Sequence, residues 1–173
     1  MLRRLKTERM KDLPVKTQNV VACPMPEQQA NAYRAILSDM KLHRERKENI
    51  PIAVLQRLAN CSLSPVPLFE DVELTDSMIA DSGRLTAFFR ILDDIAARRE
   101  KVVVFVQHFD VQDVVARAIR ARYGLDHMPG KINGTMPPAA RQRVVTEFQD
   151  GRPGFDAVVL TGRAAGTGLT HAT

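Results

Sequence analysis

The second half of the chain alternates between amphipathic helices and short apolar runs. From Ser82 to Arg99 the apolar residues recur at helical spacing, which predicts a helix that Ser82 caps. Five successive apolar residues then lie between Lys101 and Gln107. An uninterrupted apolar run of this length is typical of a strand in a parallel sheet that is covered on both faces. The pattern therefore predicts a helix followed by a buried strand.

The same alternation continues as far as Leu160. Asp110 is expected to cap a second helix, which Gly124 ends, and a short strand is predicted over Lys131 to Asn133. Two prolines open a further helix, Gly151 closes it, and Phe155 to Leu160 is predicted to be another buried strand. Helices and strands at this spacing are typical of right-handed crossover units. The predicted fold class is α/β, with an open parallel sheet flanked by helices.

The first half lacks this alternation and is predicted to be a helical extension. A helix follows Pro26, and its apolar stripe consists of Ala30, Tyr33, Leu37 and Met40. We expect this stripe to serve docking rather than cofactor binding. A second helix is expected to be capped by Asn49 and to begin at Pro51. Its inward side chains are expected to be Val54, Leu55 and Leu58.

A proline-containing acidic segment, Ser62 to Asp81, separates the two halves. Its acidic residues are Glu70, Asp71, Glu73, Asp76 and Asp81. This composition predicts an exposed connection without regular structure. We therefore divide the chain into residues 1–81, a helical entry segment with an acidic linker, and residues 82–173, an α/β domain.

The loop after the last predicted strand consists mostly of very small residues. Between Thr161 and Thr170 it contains three glycines and two alanines, with hydroxyl groups at Thr161, Thr167 and Thr170 and one cation at Arg163. Small residues allow backbone N–H groups to approach a phosphate, and the hydroxyls add donors. The loop is a candidate phosphate site. The alternative is a glycine-rich turn that binds nothing.

Charge and cysteine content narrow the class of protein. The formal net charge is +5, and basic residues crowd the start of the chain, which fits either a polyanionic partner or a solvated basic face. Cys23 and Cys61 are far apart and the histidines are scattered, so we expect neither a disulfide framework nor a metal site. We find no bilayer-spanning apolar run and no leader, so we expect a protein that is not secreted and not in a membrane. It would be cytoplasmic and associated with the nucleoid, or nuclear.

Short motifs occur along the chain in the order that one family has them. Residues 2–6 and 12–16 read Leu-Arg-Arg-Leu-Lys and Asp-Leu-Pro-Val-Lys. Gln28 or Gln29 is followed by Tyr33, and residues 55–61 have the spacing leucine-x-x-leucine-x-x-cysteine. Residues 82–85 and 101–107 resemble the stretch that leads into helicase motif four. These motifs resemble the second RecA-like lobe of superfamily-two helicases, and within them the Swi/Snf family of double-stranded DNA translocases.

Two further stretches extend the resemblance over nearly the whole chain. Gly134, Arg141 and Phe148 resemble a glycine, arginine and phenylalanine motif of the family, and residues 161–170 resemble helicase motif five. The match has departures. Ala165 and Thr170 differ from motif five, a valine replaces the usual serine of motif four, and the histidine-proline that ordinarily follows the cysteine is missing.

The resemblance implies a RecA-like sheet with an N-terminal helical extension, and it implies two partners: double-stranded DNA and the N-terminal ATPase lobe. The implied DNA-binding residues are Gln107, His108, Thr161, Gly166, Thr167 and Gly168. A weaker set for contacts with DNA or the other lobe comprises Arg3, Arg4, Lys6, Arg141 and Arg163. For Arg141, the alternative to such a contact is an ordinary surface ion pair. For the three residues at the start of the chain, the alternative is a disordered basic terminus.

The family's catalytic parts are not found in this sequence. The chain has no phosphate-binding loop of the form Gly-x-x-x-x-Gly-Lys-Ser/Thr and no acidic Walker B motif, and it stops at Thr173, before the place of motif six. ATP and magnesium are therefore expected in the intact parent enzyme, and neither is expected to bind to this chain alone. We expect the chain by itself to be an inactive fragment.

Two alternatives remain open at the level of sequence. One is a lobe of a superfamily-two RNA helicase, although the arginine-glycine-leucine-aspartate core of motif five in that family is not present at residues 166–170. The other is a non-enzymatic remnant that only binds nucleic acid or a partner.

Overall fold

The computed structural model describes residues 17–46, 49–69 and 71–162. The helices in these residues are α1 (Glu27–Glu45), α2 (Ile52–Leu63), α3 (Asp76–Ala80), α4 (Gly83–Ala97), α5 (Phe109–Tyr123) and α6 (Pro138–Asp150). The strands are β1 (Lys101–Val106), β2 (Gly130–Ile132) and β3 (Asp156–Thr161). None of the helices in these ranges is long and apolar enough to cross a membrane.

The described strands form a parallel sheet in the order β1-β3-β2. Lys101 to Val106 pair in register with Asp156 to Thr161, and Ile132 pairs with Leu160 on the other side of β3. All six residues of the central strand β3 are buried. The structure thus confirms the predicted open parallel sheet and the predicted coverage of this strand on both faces.

Helices cover the two faces of the sheet. Ala157 and Val159 of β3 pack against α4 and α5, in a core that includes Leu85, Phe89 and Ile119. The alternate residues, Val158 and Leu160, pack on the opposite face against α6. This division follows from the strand period of two, since successive side chains point to opposite sides of a sheet.

Strand β1 is less covered than its apolar sequence suggests. Val104 is its one buried residue, and Phe105 is 60% exposed. The expectation of coverage on both faces is therefore wrong for β1. The reason is its position at an edge of the described sheet, where the helix on the α6 face reaches Val103 but leaves Phe105 open.

Helices α1 and α2 pack on each other and form the N-terminal extension. Their shared core consists of Ile36, Val54, Leu58 and Cys61, with Tyr33, Leu37 and Met40 at its border. Leu55 was expected to point inward, but it is 50% exposed, so that expectation is wrong. The buried stripe of α2 runs through residues 54, 58 and 61 instead, and Leu55 lies outside it.

The helix caps differ in part from the sequence-based expectations. Ser82 caps α4 as predicted, since its Oγ accepts a hydrogen bond from the Leu85 N–H at 3.1 Å. The N-cap of α2 is Pro51 rather than Asn49, and that of α5 is His108 rather than Asp110, and neither cap makes a side-chain hydrogen bond. Gly124 ends α5 in the left-handed region, with φ at 61°, as its sequence position predicts.

The acidic segment is more ordered than its composition suggests. It contains the short helix α3, which is capped by Thr75, and Leu68 is buried in the main core. Val72, Leu74 and Met78 lie between the acidic residues and pack against the same core. The expectation of an exposed, irregular connection is wrong, because apolar residues alternate with the carboxylates and bury one side of the segment.

The side chain of Gln29 connects the extension to the α/β domain. It is fully buried, and its Nε2 donates to the carbonyl oxygens of Cys61 and Ser62 at 2.9 and 3.3 Å. Its Oε1 accepts a hydrogen bond from the Gly83 N–H at 3.1 Å. Gln29 therefore satisfies the last turn of α2 and the first N–H of α4 together, two sets of groups that have no partner within their own helices. We call this arrangement the Gln29 junction.

Candidate nucleic-acid interface

The carboxyl edge of the sheet brings together residues that the sequence places far apart. Gln107 and His108 follow β1, and Thr161 ends β3. Val106 pairs with Thr161, and the Gly162 N–H donates to the Val106 carbonyl at 3.2 Å. Because β1 and β3 are adjacent and parallel, their ends meet at one edge, which is where open α/β sheets bind ligands.

Gln107 and His108 present polar side chains to solvent at this edge. Both residues are exposed, and His108 has extended backbone angles at the N-cap of α5. The first turn of a helix carries N–H groups without helical partners and attracts anions. The exposed carboxylate of Asp110 lies in the same turn and opposes an anion there. The side chains of Gln107 and His108 are therefore better candidates for binding an anion than the helix terminus alone.

The hydroxyl group of Thr161 is buried and lacks a partner within the described residues. The residue is 3% exposed, and its Oγ1 finds no hydrogen-bond acceptor or donor there. The alternation along β3 places its side chain on the same face as Ala157 and Val159, towards α4 and α5. A buried hydroxyl without a partner costs about 1–3 kcal/mol. Such a group is a candidate ligand contact.

A second polar network fixes the end of β2 relative to β3. The buried Gln112 of α5 donates through Nε2 to the carbonyls of Ile132 and Val159, at 3.1 and 2.7 Å. Its Oε1 accepts from Asn133 at 3.4 Å, and the Oδ1 of Asn133 accepts from Thr135. Sequence reasoning missed Gln112, because a polar residue beside an apolar helical stripe is indistinguishable from a surface residue. The network holds the loop after β2 at the same edge of the sheet.

Arg141 stabilises that loop rather than pairing with a carboxylate. Its Nε donates to the Met136 carbonyl at 3.0 Å, and its guanidinium also donates to the Gly134 carbonyl at 3.1 Å. Within the described residues the partners of Arg141 are these backbone carbonyls, in place of the carboxylate of a surface ion pair that was the alternative. A contact of Arg141 with DNA or another lobe stays a prediction.

Seven of the predicted site residues lie outside the described residues. They are Arg3, Arg4, Lys6, Arg163, Gly166, Thr167 and Gly168. Of the remaining four, the structure brings Gln107, His108 and Thr161 to one edge, and it places Arg141 in the neighbouring loop.

A separate charged cluster lies at the amino edge of the sheet, around His127. The Nδ1 of His127 lies 2.7 Å from Asp126, and its Nε2 lies 3.0 Å from the buried Asp156 at the start of β3. Burial lowers the pKa of His127, but the hydrogen bonds to Asp126 and Asp156 outweigh burial, so the pKa is raised. Arg152 opposes the charge weakly. Among all the described residues, no group of three or more His, Cys, Asp or Glu side chains is placed to bind a metal ion.

The His127 cluster is expected to make stability depend on pH. A raised folded-state pKa means that the stabilisation is present below the unfolded pKa of about 6.5 and is lost as pH rises through the folded pKa. Urea unfolding should be measured at about pH 5.5 and about pH 8.5, on either side of this pKa range. The free energy of unfolding should be higher at the lower pH. His127→Gln should remove most of that difference, whereas the control His108→Gln at an exposed site should retain it. Equal pH dependence in both variants would contradict the assignment.

Known proteins resemble this chain in sequence. No protein-family model matches it. A SWI/SNF-related matrix-associated actin-dependent regulator of chromatin, subfamily A containing DEAD/H box 1A, from Danio rerio is 22% identical over 224 residues. That match covers the whole of this chain and 23% of the relative. The chain thus spans about a quarter of the length of this curated relative.

Solved structures share the fold. The C-terminal domain of a Sulfolobus solfataricus SWI2/SNF2 ATPase superposes with a TM-score of 0.70 at 20% identity, over 87% of this chain and 65% of that one. The SWI2/SNF2 ATPase core from the same organism, in complex with double-stranded DNA, gives a TM-score of 0.72 at 21% identity. This second match covers 92% of this chain and 34% of the other.

The sequence relation and the shared fold agree with the motifs. The relation in sequence extends along the whole chain, and the superposition with a C-terminal domain covers most of it. The chain is a relative of the Swi/Snf-type ATPases and has the fold of their C-terminal, RecA-like lobe.

Proposed function

We propose that this chain acts as the second lobe of an ATP-dependent double-stranded DNA translocase, in which it contacts the DNA backbone and couples it to the other lobe. The observation that carries the proposal is the carboxyl edge of the sheet. There the buried hydroxyl of Thr161, which has no partner among the described residues, lies one strand away from the exposed Gln107 and His108. The related Sulfolobus solfataricus ATPase core is solved in complex with double-stranded DNA, which suggests the same partner for this chain.

The chemistry of this edge suits phosphates rather than bases. Thr161 supplies a hydroxyl, Gln107 an amide and His108 an imidazole, all of which can donate to a phosphate oxygen. The glycine-rich residues that follow Gly162, with the expected contacts at Gly166, Thr167 and Gly168, would add backbone donors. Such donors carry no information about base sequence. Binding is therefore expected to be independent of sequence and to weaken steeply with salt.

The ATP and magnesium of the parent enzyme fit the described residues poorly. The chain has no phosphate-binding loop, and no cluster of carboxylates, imidazoles or thiols in its described part could hold a metal ion. We therefore assign this chain no nucleotide step. Its proposed partner for nucleotide binding is the N-terminal ATPase lobe. The contacts proposed towards that lobe or DNA are those of Arg3, Arg4, Lys6, Arg141 and Arg163.

The cellular location follows from the same proposal. The Danio rerio relative is named as a regulator of chromatin. A translocase lobe related to such a protein is proposed to act on nuclear DNA, and this favours the nucleus over association with a nucleoid.

Thr161→Val is expected to weaken DNA binding without destabilising the protein. Valine keeps the β-branched shape and removes the hydroxyl, so the free protein loses no hydrogen bond that the described structure shows. Loss of a hydrogen bond to a charged phosphate should reduce affinity for a short duplex by roughly tenfold. Fluorescence anisotropy at low salt measures the affinity, and thermal unfolding measures the stability.

A matched variant and two duplexes complete this experiment. Thr146→Val, at an exposed position on α6, should change neither quantity. Two duplexes of different sequence should bind equally, and binding should fall as salt rises. Unchanged affinity of Thr161→Val would refute the proposed contact, as would a clear loss of stability, which would mean that the hydroxyl has a partner within the fold.

A further inference from the structure

A cleft of about 280 Å³ opens beside the carboxyl end of β1, between α2, α4 and α5. Its walls are apolar and include Leu63, Leu85, Phe88, Val104 and Val111. Polar groups lie at its rim, from Asn60, Arg84, Gln107 and His108. We call this space the β1 cleft.

The β1 cleft has room for an aliphatic side chain. An apolar cavity of roughly 150 Å³ is enough to hold a benzene ring. Apolar walls that face a gap lose their van der Waals partners, so protein interiors rarely leave such space unfilled. An apolar occupant with a branched side chain would suit both the volume and the lining.

The chain itself passes close to the β1 cleft. The Gly162 N–H donates to the carbonyl of Val106, which also lines the cleft, so the chain leaves β3 beside it. Leu169 is the single large apolar side chain in residues 163–173. Six residues separate it from Gly162, and the seven chain steps between the two can span up to roughly 23–25 Å. Residues 163–173 therefore offer one suitable side chain within reach.

We propose that the β1 cleft is the docking site of Leu169. In this proposal the leucine side chain fills the apolar space between α4 and α5. An intramolecular leucine needs little intrinsic affinity, because its effective concentration at the cleft is high. This docking requires neither DNA nor nucleotide, so it is independent of the proposed function.

The sequence contains no tryptophan, which makes a single-tryptophan experiment possible. In the full chain, Leu169→Trp is expected to give blue-shifted emission that is protected from an aqueous quencher. Thr167→Trp, two residues earlier, should give solvent-exposed emission. Equal, solvent-like emission from both variants would overturn the proposal. A blue shift that grows with protein concentration would also overturn it, since a second copy would then fill the cleft.

Blocking the cleft tests the site itself. Ala59 is exposed on α2 and lines the cleft, whereas Ala53 is exposed on the same helix and does not line it. In the Leu169→Trp background, Ala59→Arg should shift the emission towards that of exposed tryptophan, and Ala53→Arg should leave it unchanged. A blue shift that survives Ala59→Arg would place the side chain elsewhere and overturn the proposal.

A smaller probe covers the case in which tryptophan does not fit. In a Cys23→Ser background, Leu169→Cys should be alkylated roughly tenfold more slowly than Thr167→Cys, since protection follows the equilibrium for local opening. The remaining Cys61 is buried, and burial raises the pKa of its thiol, so its own reaction is slow. Equal alkylation rates at the two positions would overturn the proposal.

Discussion

Gln29→Ala is expected to lower the free energy of unfolding by roughly 2–4 kcal/mol, because it leaves buried polar groups without partners. The substitution removes the hydrogen bonds to the carbonyls of Cys61 and Ser62 and the acceptor for the Gly83 N–H. Each buried group that loses its partner costs about 1–3 kcal/mol. Gln28→Ala is the matched control, since Gln28 is exposed on the same helix and its replacement should cost less than about 0.5 kcal/mol.

Urea unfolding followed by circular dichroism provides both the size of the effect and its origin. If the Gln29 junction makes the extension and the α/β domain one cooperative unit, the unaltered chain unfolds in a single transition. Gln29→Ala should then lower the midpoint, or separate the unfolding of α1 and α2 from that of the sheet. Similar free energies of unfolding for Gln29→Ala and Gln28→Ala would show that the Gln29 junction contributes little to stability.

The importance of Gln29 could not be predicted from its neighbourhood in the sequence. Glutamine near the start of a helix is ordinarily exposed, and the apolar stripe of α1 accounts for that helix without it. Its partners lie 32 and 54 residues further along the chain. The motif resemblance singled out Gln28 or Gln29 but could not decide between them. Only the meeting of the two helix ends, at the last turn of α2 and the first of α4, distinguishes the buried residue.

Elements with strong local signals were predicted well. The helix α4 has the predicted cap and apolar stripe, and the apolar run of β3 is buried along its whole length, as expected. The errors concern exposure. Phe105 in β1 and Leu55 in α2 are apolar but lie at positions that the described structure leaves open. Whether an apolar residue is covered depends on the sheet order and on helix packing, and neither can be derived from periodicity alone.

The candidate site was predictable to the level of the sheet edge. The general rule for parallel strands leads to Gln107, His108 and Thr161 once β1 and β3 are recognised. The rule does not give the order of the strands, so it could not show that Val106 pairs with Thr161. It also could not show that the Thr161 hydroxyl is buried without a described partner. These features depend on register and side-chain packing.

Gly83→Ala is expected to destabilise the protein by roughly 1–3 kcal/mol, through a clash with the backbone of the entering chain. A Cβ atom on Gly83 would lie 2.2 Å from the carbonyl oxygen of Pro24 and 3.5 Å from that of Cys23. The clash is with main chain, so it cannot be relieved by a change of rotamer. Glycine at this position therefore lets the segment before α1 lie directly against the start of α4. The N–H of Gly83, at this start of α4, also donates a hydrogen bond to the side chain of Gln29.

Gly134→Ala separates this clash from the general effect of replacing glycine. A Cβ there meets nothing within 4 Å, so the reduced freedom of the unfolded chain should make Gly134→Ala neutral or stabilising, by up to about 1 kcal/mol. Thermal unfolding measures the difference between the two variants, and the alkylation rate of Cys23 reports where the strain goes. If the segment at Cys23 and Pro24 is pushed outward, Cys23 should react faster in Gly83→Ala than in the unaltered protein. Loss of stability at an unchanged rate would mean that α4 yields instead, and equal stability of the two variants would refute the close packing of Pro24 on this helix.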